Sequence, residues 1–94
     1  MNIVEFAQVT GMIIKIEKRF NFKSWRAELT KEDCICILKN SIPNSKLEPV
    51  GLGETPENAL ENLCNLLKGK VLNITPEKTE KSIQIYIPEI LSIE

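Results

Sequence analysis

No histidine occurs in the 94 residues of this chain. That removes the side chain that most readily moves protons near neutral pH and the commonest nitrogen ligand of metals. Cysteine is scarce and odd in number, at Cys34, Cys36 and Cys64. Without a Cys-x-x-Cys pair or any histidine, a zinc site lacks its ligand set, and the thiols read as small buried apolar residues in a reducing compartment. Net charge is −1, so no overall field draws in nucleic acid or an anionic membrane, and such binding needs a local patch. No apolar run approaches the roughly 18 residues of a membrane span. Residues 1–6 lack the basic start and continuous apolar core of a secretory leader. The expected setting is the cytoplasm, with no membrane partner. Repeats, low-complexity tracts and linkers are missing too, and residues 1–94 make a single domain.

The stretch from Gly51 to Lys70 carries a complete set of helix signals. Thr55 offers an N-cap hydroxyl, and Pro56 follows at the first helical position, where its missing N–H costs nothing. Glu54 and Glu57 sit at the positive end of the helix dipole and Lys68 at the negative end, while Gly69 suits a left-handed stop. Leu60, Leu63, Cys64 and Leu67 form an apolar stripe, widened by Ala59 and Leu66, with Glu57, Asn58, Glu61, Asn62 and Asn65 on the wet side. A main helix over about 55–68 is the expectation.

Strands surround it. Residues 12–20 alternate, with Met12, Ile14, Ile16 and Phe20 on one face and Lys15, Glu17 and Arg19 on the other. Residues 24–30 alternate again, with Trp25, Ala27 and Leu29 inward, which predicts a hairpin across Asn21-Phe22-Lys23. Residues 34–39 are apolar on both faces, the pattern of a central, doubly covered strand; the helix can cover only one side, and the other needs the N-terminal segment, the C-terminal segment or a partner. Residues 40–50 read as an irregular crossing loop, 71–74 as a short strand, 77–81 as a charged turn and 82–87 as an edge strand limited by Pro88. Residues 3–9 fit either a short helix capped by Asn2 and closed by Gly11 or an edge strand. The fold class is α+β: a small, mostly antiparallel sheet of three to five strands with the main helix packed on one face.

Chemistry-bearing patterns are few. Gly51-x-Gly53 precedes a helix, but no Lys-Ser or Lys-Thr follows and Pro56 stands where a dinucleotide fingerprint has its third glycine. The glycines read instead as a turn and a close approach of backbone to sheet. Glu28, Glu32, Asp33, Glu54, Glu57 and Glu61 fit exposed or helix-end roles, and no base stands beside any cysteine in the sequence pattern. No catalytic, cofactor or metal residue is assigned, and the chain is expected not to be an enzyme. The stretch from Lys15 to Arg26 carries Lys15, Lys18, Arg19, Lys23 and Arg26 against one acid, Glu17, interleaved with Phe20, Phe22 and Trp25. Lys15, Lys18, Arg19, Phe22, Lys23 and Arg26 are therefore the candidate surface for a nucleic acid or a protein partner.

Gly53-Glu54-Thr55-Pro56-Glu57-Asn58-Ala59-Leu60-Glu61-Asn62-Leu63 resembles the Gly-acid-Thr-Pro-Glu-Glu-Ala-Leu-Glu-Asn stretch of HicB-type antitoxins. That resemblance implies a sheet covered by helix that binds and neutralises a toxin ribonuclease. This chain lacks the Pro-Asp-Leu-Pro-Gly-like turn of that family. The order of a possible helix, three strands, Gly-x-Gly and a helix is similar to double-stranded RNA-binding domains, with Thr55-Pro56-Glu57-Asn58 in place of their basic cluster. The functional expectation is a non-catalytic binding protein, antitoxin-like or a phage-type inhibitor from a mobile element. Its partner is another protein or a second copy in a homodimer; a nucleic-acid-binding hairpin over 12–30 is the alternative.

Overall fold

Asn2 opens the first element. Its side-chain oxygen accepts from the Glu5 N–H at 2.7 Å and its amide donates to the Glu5 carboxylate at 2.9 Å, a reciprocal cap at a helix start. In the computed structural model, which describes residues 1–18, 23–39, 46–78 and 81–94, helix α1 runs over Ile3–Thr10. Gly11 closes it with φ +70°, the left-handed conformation glycine adopts without penalty. The open choice at residues 3–9 thus resolves to a helix, which buries Ile3, Phe6 and Ala7.

Among the described residues, six strands and a second helix follow: β1 (Ile13–Lys18), β2 (Trp25–Thr30), β3 (Cys34–Leu38), β4 (Val50–Gly53), α2 (Pro56–Leu67), β5 (Val71–Pro76) and β6 (Ile83–Tyr86). The class is α+β and all strand pairs are antiparallel. The strands divide into two sheets, ordered β1-β2-β4 and β3-β5-β6. In the first, Lys15 lies opposite Glu28, Ile16 opposite Ala27, and Arg26 opposite both Glu17 and Leu52. In the second, Cys36 faces Ile74 and Ile74 faces Ile83.

The main helix forms as its signals predict. Thr55 accepts from the Asn58 N–H at 3.0 Å, Pro56 opens the first turn, and Gly69 takes φ +68° beyond the last. Ala59, Leu63, Cys64 and Leu67 are buried, whereas Glu57, Asn58, Glu61, Asn62 and Asn65 are exposed. The helix lies most extensively on β4, then β2, with β1 at its margin. That placement depends on two glycines. A Cβ on Gly53 would fall 2.5 Å from the Ala59 nitrogen, and one on Gly51 would overlap the Leu63 backbone nitrogen and the Ala59 carbonyl. The bare strand lets helix backbone reach sheet backbone.

Two expectations are corrected. Residues 50–53, read as loop and helix approach, form β4; Val-Gly-Leu-Gly carries too little side chain to display the period of two. Strand β3 is not central. Leu72 and Ile74 on β5 occupy the middle of that sheet, both buried, and β3 lies at its margin with Ile35 54% exposed. One apolar core joins both sheets and both helices, from Ile3 and Phe6 through Leu29, Leu38 and Leu63 to Leu72 and Ile87. The C-terminal segment closes it, with Leu91 buried, Ile93 packed against the core and Ile90 outside. Backbone bonds from the Ile3 N–H to the Ser92 carbonyl (2.8 Å) and from the Ser92 N–H to Met1 (3.2 Å) hold it beside α1.

Candidate interaction surface

Among the described residues, the basic candidates of the hairpin do not form one cationic patch. Strand alternation sends Lys15 to the sheet face away from α2 and Lys18 to the other. Arg26 is held between carboxylates, its guanidinium 2.8 Å from Glu28 and 3.7 Å from Glu17. Its charge is thus met within the sheet, along its own strand by Glu28 and across the strands by Glu17, the latter a pairing of the kind that stabilises antiparallel strands. Lys23 is exposed at the start of the second arm. Arg19 and Phe22, with the Phe20 expected to share the inward face, lie outside the described residues. The face formed by Lys15, Glu17, Arg26 and Glu28 therefore alternates in sign, and its exposed apolar members are Ile13 and Leu52, each 45% exposed.

The cysteines are separated. Cys34 and Cys36 lie on the inward side of β3, half-buried, and Cys64 is buried on α2; none is in a disulfide. Burial pushes the Cys36 thiol above its ordinary value, against the smaller effect of a backbone hydrogen bond involving Lys31. Burial likewise pushes Cys64 up, with Lys68 opposing. A nucleophilic cysteine needs the reverse shift. A shallow groove beside α2, lined by Glu61, Cys64, Asn65, Lys68 and residues 91–94, contains that same protonated thiol. No three histidine, cysteine or acidic side chains converge on a common point among the described residues. No helix among them is long and apolar enough to cross a membrane.

The feature that sequence reasoning placed elsewhere is the outer face of the second sheet. Ile35 and Ile37 on β3, Val71, Asn73 and Thr75 on β5, and Gln84 and Tyr86 on β6 share it by register. Ile35 is 54% and Tyr86 75% exposed, while Ile37 and Val71 are half-buried. Neither helix lies against this face, because α2 is committed to the first sheet and α1 to β1. The two-faced apolarity of residues 34–39 was the visible signal, and among the described residues it marks an edge strand with one face packed on the core and one that no helix covers. Comparison with family models, with characterised proteins and with solved structures gave no match.

Proposed function

We propose that this chain is a non-catalytic binding protein that acts by covering a protein partner, in the manner of an antitoxin or a phage-type inhibitor. The observation that carries the reading is the outer face of the second sheet, against which neither helix packs among the described residues and where Ile35 and Tyr86 stand exposed beside the half-buried Ile37 and Val71. Exposed apolar side chains gathered on one sheet face are characteristic of interaction sites, and tyrosine is enriched at the energetic centres of interfaces. Protonated, partly buried thiols and the absence of histidine from the sequence favour binding over catalysis. Three unpaired thiols fit action in the cytoplasm.

The hairpin reading is second. Exposed Lys15, Lys18 and Lys23 support it, but the carboxylates of Glu17 and Glu28 occupy Arg26 and offset the charge of the face. Affinity capture from the native lysate separates the two. The protein reading expects a defined protein retained after nuclease treatment and at elevated salt. Retention of RNA or DNA alone, lost steeply with salt, would favour the hairpin.

A further inference from the structure

The two margins of the first sheet are finished differently. On β4, the Asn62 amide donates to the Leu52 carbonyl at 2.5 Å, so the helix that covers the sheet also occupies its edge. On β1, among the described residues, the only paired strand is β2. This six-residue edge carries Ile13, Ile14 and Ile16; Ile16 remains 42% exposed because α2 covers mainly β4 and β2, and Ile13, on the face away from α2, is 45% exposed. A bare apolar edge strand is a template for another strand.

We infer that β1 pairs antiparallel with β1 of a second copy of this chain, about a two-fold axis at Ile16, joining two three-stranded sheets into one of six strands. The charge sequence selects this occupant and this register. Directly opposed residues in an antiparallel pair point to the same face, so the pairing numbers must sum to an even value. A sum of 30 places Lys15 against Lys15, and a sum of 34 places Glu17 against Glu17; like charges so opposed are destabilising. A sum of 32 sets Lys15 against Glu17 twice, once on each side of the axis, and brings the two exposed Ile16 side chains together. Strands β3 and β6 carry no charge that would choose a register for themselves.

The inference rests on the reading of this chain as a protein that acts by contact, and it names one contact. Its test is sedimentation equilibrium of the full chain, up to about 1 mM, for wild type, Lys15→Glu, Glu17→Lys and the double exchange. Wild type dimerises, each single change raises the dimer dissociation constant roughly tenfold or more, and the double exchange restores it. Within one chain, Lys15→Glu faces Glu28 and Glu17→Lys faces Arg26, so intrachain repulsion accumulates in the double variant. Only the contact between copies is repaired by it. Circular dichroism melts verify that every variant is folded. A wild type that stays monomeric throughout overturns the inference, as does a dimer indifferent to the single changes or not restored by the double. A monomer that still retains a protein partner on the β3-β5-β6 face would sink this inference alone and leave the proposed function standing.

Discussion

Gly51 and Leu63 meet backbone to backbone, with no room for a side chain between strand and helix: a Cβ on Gly51 would overlap the Leu63 nitrogen. What it would strike is main chain, which cannot rotate away. Gly51→Ala should therefore destabilise the fold by about 1–3 kcal/mol or more, as overpacking does. Gly53→Ala should act similarly through Ala59 and Asn58, 2.5 and 2.7 Å from the added carbon. Gly11→Ala meets only the Lys31 ammonium at 3.8 Å, so its cost should come from the left-handed backbone alone. Urea denaturation of the three variants measures the ordering, with Gly51→Ala the most damaging.

The phase of α2 gives a graded series. Leu63 is fully buried and Leu63→Ala should cost about 2–5 kcal/mol. Thr55→Ala removes the bond to the Asn58 N–H and should cost about 0.5–2 kcal/mol. Glu61→Ala, on the exposed face, should change stability by no more than about 0.5 kcal/mol. Equilibrium denaturation that ranked Glu61→Ala beside Leu63→Ala would contradict the packing described.

The helix was legible because its cap, proline, charged ends and apolar stripe all agree within one short stretch. The β1-β2 hairpin was legible for the same reason, since alternation placed Ala27 and Leu29 inward and both are buried. Strand β4 was hidden because glycines, required for close approach, carry no face. The position of β3 was hidden because apolar residues on both sides of Cys34, Cys36 and Leu38 describe two covered faces and one open face equally well. Of the candidate surface, sequence identified Arg26 as a cation. Of its two carboxylate partners, Glu28 is two residues along the same strand, whereas Glu17 is set by cross-strand register, which follows from the completed sheet.

Alkaline pH should weaken the fold through two thiols. Burial raises Cys36 and Cys64 from the ordinary value of 9.0, so the folded chain holds those protons where the unfolded chain releases them. Their contribution is complete below the unfolded value and is lost as pH rises through the raised folded values. Denaturation midpoints from about pH 7 to about pH 10 should fall in wild type and fall less steeply in Cys36→Ser and in Cys64→Ala. Equal slopes would show that these thiols do not govern the decline.

In the proposed function, the outer face of β3, β5 and β6, which no helix covers among the described residues, is kept for a protein partner at no benefit to the fold. The direct measurement pairs thermal melting with affinity capture for wild type and for Ile35→Asp combined with Tyr86→Ser. Both side chains are exposed, so the melting temperature should shift by no more than a few degrees, while the captured protein should disappear. A variant that melts far below wild type, or one that retains the same protein as well as wild type does, would contradict the claim.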